Sequence, residues 1–412
     1  MTDSNPDPRI TRRGILAAGG AALLGAAGGV VIGRASASEP DAPTAMPTAA
    51  STSEAVASGE ATLLPFYDDH QAGVETEEAD FQTFLGLDLR NASRDDADAV
   101  LRLVSDDAAR LTQGQPILGD AMPELAANAD LMSIAVGLGH GFFRKAGLEH
   151  AIPAEFVEIP AFENDTFEDP WTQTDLVLQI GANDPTALSH AVRMLTRDLS
   201  TLADVRWQQD GFRAPGTMDL GTHARRNLMG WPEGKHFPVP GTQDFADVVW
   251  IQEGPDWLVG GTILVLRRMR MELDLWDRLD RSAQETVVGR RLSDGELLSA
   301  DAPGDPFEAV DDLGLPVIPM DAHVRIARAD SLDGVILRRP YNYDMGIVDG
   351  RNDVGLVFAT YQRDPAKQFI ATQARLTKSD AFRKWITAIG SATYVFPAGA
   401  KDGGYIGEGL FT

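Results

Sequence analysis

The chain has 412 residues, 43% of them hydrophobic and 24% charged, with a formal net charge of −25 and a pI near 4.6. That is enough chain for two ordinary domains or one large one, and so acidic a surface repels a phosphate backbone, which argues against any nucleic-acid partner. With no cysteine there is no disulfide, thiolate-bound zinc, iron–sulfur cluster or cysteine nucleophile, so redox chemistry would have to come from a bound cofactor or from aromatic radicals.

Residues 1–37 read as an export signal. Thr11-Arg12-Arg13-Gly14-Ile15-Leu16 has the twin-arginine pattern, a weakly hydrophobic Ala/Gly/Leu run extends to Ile32, and Ala35-Ser36-Ala37 is an A-x-A cleavage site. The competing reading, an uncleaved membrane anchor, has against it the glycines in the run and the cleavage site that follows. Twin-arginine export carries proteins already folded, often around a cofactor, so the route itself hints at one. It predicts a periplasmic or extracellular bacterial location. Residues 38–60 are rich in Ala, Ser, Thr and Pro without an apolar period and read as a flexible tether.

From Ala61 the pattern turns globular. DFQTFLGLDL alternates and predicts a strand. SRDDADAVLRLVSDDAARLTQG predicts an amphipathic helix capped by Ser93, with Ala97, Val100, Leu101, Val104 and Ala108 on one face. LMSIAVGLG and DLVLQIGAND are strands, the second ended by Asn183-Asp184-Pro185. TALSHAVRMLTRDL is a helix and DVRWQQDGF a closing strand. The second half repeats the rhythm. DVVWIQEG and WLVGGTILVLRRMRM read as strands, ELDLWDRLDRSAQETVVG as a helix, DGVILRRPYNY and VGLVFATYQ as strands, KQFIATQARLTKSDAFRKWITAI as a helix and ATYVFPAG as a last strand. Such units predict an α+β protein of two ferredoxin-like domains with antiparallel sheets, 61–216 and 217–412.

Among the seven histidines no H-E-x-x-H or other close metal pair occurs, and each alone serves structure more often than ligation. His323, in VIPMDAHVRIARAD, has better company. Downstream, VILRRPYNYD sets Arg338 and Arg339 side by side on a strand, where alternation points them to opposite faces. A buried arginine needs an anion, and an ordinary ion pair with a core carboxylate would satisfy it. GWPEG places Glu233 between Gly230 and Gly234, either as a loop residue facing water or as an acid set in a pocket to move protons. Trp231, Trp250, Trp257, Trp276, Trp385, Tyr341, Tyr343 and Tyr361 could relay an electron hole, although core packing is the commoner use of any one of them.

The ordered set RRNLMGWPEG, PDWLVGGTILVLRRMRMELDLWDRL, VVGRR, DAHVRIA, ILRRPYNYD and GLVFATYQRDPAKQF resembles the dye-decolorising peroxidases, in particular their exported branch with the deferrochelatase-type enzymes. HQAGVET, SIAVGLGHGFFRKAGL, DLVLQIGANDP and DGGYIGEGL extend the resemblance over essentially all of the chain after residue 62. It implies a heme b enzyme of the dimeric alpha-beta barrel-like superfamily, with hydrogen peroxide as oxidant and an organic donor of the dye or phenol class. A homodimer is expected by analogy.

The resemblance puts His323 at the proximal iron ligand and Arg338 at the distal arginine, with Arg339 turned away; the other N–H of His323 goes to a carboxylate or a carbonyl, with Asp364 as a candidate. Glu233 stands where the family has an aspartate. Gly234, Lys235 and His236 follow it as heme contacts, and Arg328, Ala329 and Asp330 stand at a second heme-contacting stretch that normally contains Asn-Pro. Pro340 replaces a small residue after the arginine pair. The alternative is a heme-binding or heme-iron-handling, deferrochelatase-like protein with weak peroxidase turnover. A further alternative is a fold used without heme.

Overall fold

Two successive β-α-β-β-α-β units build the sheet. The computed structural model describes residues 61–213, 225–233, 238–348 and 350–412. The first unit comprises β1 (Phe81–Leu89), α1 (Arg94–Leu111), β2 (Ser133–Leu138), the short α2 (His140–Lys145), β3 (Leu176–Ala182), α3 (Pro185–Leu199) and β4 (Ala203–Phe212). A two-stranded hairpin follows, β5 (Arg225–Arg226) and β6 (Pro232–Glu233), and then α4 (Gln243–Val249). The second unit comprises β7 (Thr262–Met271), α5 (Leu273–Trp276), α6 (Arg281–Val288), α7 (His323–Ala327), β8 (Leu337–Arg338), β9 (Tyr341–Val348), β10 (Arg351–Gln362), α8 (Ala371–Ser379) and β11 (Ile386–Phe396). The signal segment, the tether and the expected boundary at 216/217 lie outside the described residues.

Each unit has the ferredoxin-like strand order, β2-β3-β1-β4 in the first and β9-β10-β7-β11 in the second. The two sheets join at both ends. Phe212 of β4 lies opposite Asn342 of β9, and Leu138 of β2 lies opposite Val395 of β11. With β7 paired to β10, eight antiparallel strands close into a ring, which removes the exposed edges an open sheet would leave. β8 and β9 run along the same edge of β10 in one register, Leu337 opposite Tyr361 and Tyr341 opposite Val357. Pro340 interrupts them because it has no N–H for the ladder, yet the Arg339 N–H still reaches the Ala359 carbonyl at 2.9 Å.

Alternation then sorts the side chains. Inside the ring, Phe84, Val177 and Trp207 of the first unit meet Leu264, Tyr343, Tyr361, Tyr394 and Phe396 of the second. Outside, α1 and α3 pack on the first unit's other face. Ser93 caps α1 by accepting from the Asp96 N–H, and the five expected apolar positions are all buried. Asp184 caps α3 just before Pro185.

Three expected elements differ. DVVWIQEG is no strand: Thr242 caps a helix by accepting from Phe245 N–H, and Phe245, Val248 and Val249 share its buried face. ELDLWDRLDRSAQETVVG splits into α5 and α6, because Asp280 caps a new helix by accepting from Ala283 N–H at 2.8 Å. The long helix expected from Lys367 begins with a π turn at Ala366–Ile370, ends at Ser379, and gives way to a 3-10 turn at Ala381–Lys384 and then to β11. Asp380 caps that turn.

Candidate active site

On the outer face of the second unit, helices do not fill the space as α1 and α3 do in the first. α7 buries none of its 5 residues and α8 buries only Thr372 and Thr377. Beside the apolar cluster of Trp231, Trp276, Leu356 and Phe382, polar and titratable side chains gather there.

His323 is the first residue of α7. Its Nδ1 lies 2.6 Å from Asp380 Oδ2, and the Asp380 side chain is only 2% exposed. Asp380 ends α8, and its other oxygen accepts from the Phe382 N–H at 2.9 Å. The Ala381 N–H donates to the Asp321 carbonyl at 2.9 Å, tying this corner to the approach of α7. A carboxylate accepting from Nδ1–H sets the tautomer and leaves the Nε2 lone pair available, the pattern by which metal-bound histidines are oriented. Asp364 is not the partner expected above. It pairs with Lys367 Nζ at 2.7 Å and accepts from the Ala366 and Lys367 N–H groups.

The segment expected to be distal contains the β5–β6 hairpin. Arg225 pairs with Glu233 and Arg226 with Pro232 across it. Gly230 takes φ +102°, a conformation that suits a residue without Cβ. The turn is held from several sides. Asn342 Oδ1 accepts from Leu228 N–H at 3.2 Å, Asn342 Nδ2 donates to the Arg226 carbonyl at 3.1 Å, and Trp276 Nε1 donates to the Met229 carbonyl at 3.1 Å. Trp231 is buried edge-on against Phe382, whose ring centre is 5.1 Å from that of His323. The backbone at Glu233 is therefore anchored to the cluster beside His323. The Glu233 side chain, Gly234, Lys235 and His236 lie outside the described residues.

The two adjacent arginines do face opposite ways. Arg339 is buried, donates to the Thr76 carbonyl at 2.8 Å and lies 3.9 Å from Glu78. Burial pushes its guanidinium below the ordinary value, against the opposing pull of Tyr341 and Tyr361. This is the ordinary ion pair. Arg338, half-buried opposite Thr360, takes the other face. Arg290 is its neighbour there: burial first, and then the Arg338 cation, press the Arg290 pKa down. Two neighbouring guanidinium groups suit an anionic occupant such as a heme carboxylate. Asp380 and Arg290 were not singled out from the sequence. Asp380 lies within a helical run, and Arg290 within VVGRR, where nothing in the spacing marks either.

The flanking stretch sits farther out. Arg328 is exposed, 3.5 Å from Asp305 and stacked over Phe307, Asp330 is exposed, and Ala329 is half-buried against Gly334. Other histidines serve structure: His70 stacks on Trp250 and meets the Gly260 carbonyl, His140 meets the Phe156 carbonyl, and His190 pairs with Asp120. His150 is exposed and His223 lies outside the described residues.

A histidine braced by a buried carboxylate, a neighbouring pair of arginines on the same outer face, and helices that bury almost nothing of their own fit a heme. Family models agree. Dyp-type peroxidase, N-terminal, matches residues 71–213, and Dyp-type peroxidase, C-terminal, matches 224–401. The chain belongs to the Dyp-type peroxidase family and is an oxidoreductase of the heme peroxidase type. Among particular relatives, it is 35% identical to the "Dye-decolorizing peroxidase" of Thermobifida fusca (strain YX), over 100% of this chain and 99% of the other. It is 29% identical to the "Deferrochelatase" of Shigella boydii serotype 4 (strain Sb227), over 84% and 86%. The crystal structure of a DyP-type peroxidase from Cellulomonas bogoriensis superimposes with a TM-score of 0.80 at 42% identity, covering 85% of this chain and 98% of that one.

Proposed function

We propose that this chain is an exported heme b peroxidase. It reduces hydrogen peroxide with Glu233 and Arg338 and takes the electrons from a dye or phenol. The observation that carries the reading is the His323–Asp380 pair at 2.6 Å, on the same outer face as Arg338. Heme, when bound, supplies the redox-active iron to which peroxide binds and from which electrons pass.

The residues divide the rest of the work. His323 Nε2 holds the iron while Asp380 keeps Nδ1 protonated and the ring electron-rich. Arg338 and Arg290 hold heme carboxylates, and Arg338 also opposes the negative charge growing on the departing peroxide oxygen. Glu233 would accept a proton from one peroxide oxygen and return it to the other, which leaves as water. Two electrons from the donor and two protons complete the reduction of one peroxide to two waters. Glutamate has one more rotatable bond than the family's aspartate, so its carboxylate reaches farther and is held less tightly.

Gly234, Lys235 and His236, with Arg328, Ala329 and Asp330, are the further heme-contacting residues of this reading. The domain division at 216/217, cleavage of residues 1–37 after twin-arginine export, and a homodimer belong to the same reading. Purified with heme, the protein is expected to change its Soret band on mixing with peroxide and to oxidise a phenol. His323→Ala is expected to lose the bound heme. Absence of both donor oxidation and any spectral change would end the proposal.

A second reading has a specific observation behind it, the glutamate at 233 in a chain that also resembles deferrochelatases. On that reading the protein handles heme iron and peroxidase turnover is weak. Glu233→Asp separates the two. Greatly increased peroxidase turnover favours heme-iron handling, and a decrease makes glutamate the working acid.

A further inference from the structure

We propose that Arg226 is a positioning residue for the distal carboxylate, fastening the hairpin that carries Glu233 to a turn whose other end rests on the helix of His323. This rests on Glu233 being the distal acid.

Arg226 occupies β5, opposite Pro232. Its Nη1 donates to the Gly230 carbonyl at 2.8 Å and to the Leu292 carbonyl, and its Nη2 donates to the Ser293 carbonyl. A guanidinium is planar and offers its N–H groups in a fixed fork. Three carbonyl acceptors drawn from two loops therefore fix those loops relative to each other. One acceptor is the turn residue of the distal hairpin. The other two belong to the reverse turn after α6, which closes through the Arg290–Leu297 bridge and through Gly295 N–H to the Arg291 carbonyl at 2.9 Å.

The same turn touches both sides of the site. At its far end, Gly295 lies against Pro232, the residue before Glu233: a Cβ there would come within 3.3 Å of the proline ring. At its near end, Gly289 closes α6 with φ +83°. A Cβ on Gly289 would come within 2.5 Å of Val324 Cγ1 and 3.2 Å of Ala322 Cβ, the two residues flanking His323. Residues 289–295 thus bridge the proximal helix and the distal hairpin, and Arg226 is a side-chain fastening at the distal end. Such a fastening matters more for glutamate than for aspartate. The longer side chain has freedom of its own, and a misplacement of about 1 Å in an acid–base step can cost roughly a hundredfold.

The test uses heme-loaded wild type, Arg226→Ala, Arg226→Lys, Glu233→Ala and the Arg226→Ala/Glu233→Ala double variant. Stopped-flow absorption gives the rate of the peroxide-driven Soret change, and hydrogen–deuterium exchange follows the peptides covering 227–233 and 289–297. Arg226→Ala is expected to slow the peroxide step about 10- to 100-fold and to speed exchange in both peptides, at unchanged heme content. Arg226→Lys, a single point donor, recovers part of the rate and carries the test if the alanine variant does not fold. The double variant is expected to be no slower than Glu233→Ala, since a residue acting through Glu233 has nothing left to lose.

A double variant slower by the product of the single effects overturns the positioning role, as does an Arg226→Ala rate within about twofold of wild type. Glu233→Ala at the wild-type rate fails differently: it removes the acid reading itself, and the positioning role with it.

Discussion

Replacing Asp380 by asparagine tests the proximal half of the site with little change of shape. The amide keeps an oxygen to accept from Phe382 N–H, the 2.9 Å bond that caps the turn, so the local fold survives. What changes is the atom facing His323 Nδ1 at 2.6 Å: it becomes an amide nitrogen, a donor, which cannot accept from Nδ1–H and favours the opposite tautomer, with the proton on Nε2. Losing the orienting partner of a metal-bound histidine typically costs about 10- to 100-fold in metal affinity or activity. Asp380→Asn is therefore expected to bind heme about 10- to 100-fold more weakly and to turn over peroxide more slowly, while its melting midpoint moves little. Asp380→Ala loses the cap as well and should lose about a further 0.5–2 kcal/mol of stability. Heme titration and stopped-flow absorption measure the first pair of effects. Heme affinity and rate both within about twofold of wild type would refute the assignment of Asp380.

Other consequences follow from single contacts. Arg267 and Asp165 form a salt bridge with side chains 1% and 4% exposed, and Phe162, Phe167 and Phe369 surround the guanidinium. Arg267→Met strands that carboxylate and should destabilise by about 3–5 kcal/mol in urea unfolding, with recovery when Asp165→Leu is added. No loss in the single variant would count against the pair. Burial pushes Asp107 up to about 7, and the neighbouring Asp198 and Asp106 add to it. A raised carboxyl pKa means that the folded state holds its proton longer than the unfolded one. Stability should therefore fall as pH rises from about 4 to about 7 and level off above. Asp107→Asn should flatten that fall and raise the melting midpoint at about pH 8; a lower midpoint there contradicts the reasoning. Gly289→Ala meets both the positive φ and Val324, so heme content should drop along with about 1–3 kcal/mol of stability. Unchanged heme content would show that α7 absorbs the added methyl without moving His323.

Local signals carried much of the fold. Ser93 and Asp184 announce α1 and α3 through their side-chain caps, and apolar runs of strand length mark β1 and β3. Closure of the ring left no such trace. Each joint rests on one residue pair, Phe212 with Asn342 and Leu138 with Val395, and nothing near either residue in sequence marks its partner. α4 differs from its expected strand because the four apolar residues in DVVWI suit a strand as well as a buried helix face, and the Thr242 cap decides between them.

The site divides in the same way. His323, Arg338 and Glu233 were reached through ordered motifs, and the opposite facing of Arg338 and Arg339 follows from strand alternation alone. Asp380 was missed because helical spacing continues on both sides of it, while its capping role breaks that helix and turns the carboxylate toward His323. Arg226 looks like one of two strand arginines until its carbonyl partners are seen together.

The most direct test of the account is the rate at which hydrogen peroxide changes the Soret band of the heme-loaded protein, compared between wild type and Glu233→Gln. Positioned acid–base groups contribute about 10²- to 10⁴-fold, so the glutamine variant should be slower by at least about a hundredfold while keeping its heme. Equal rates in the two proteins would contradict the account, because the carboxylate in GWPEG would then have no part in breaking the peroxide bond.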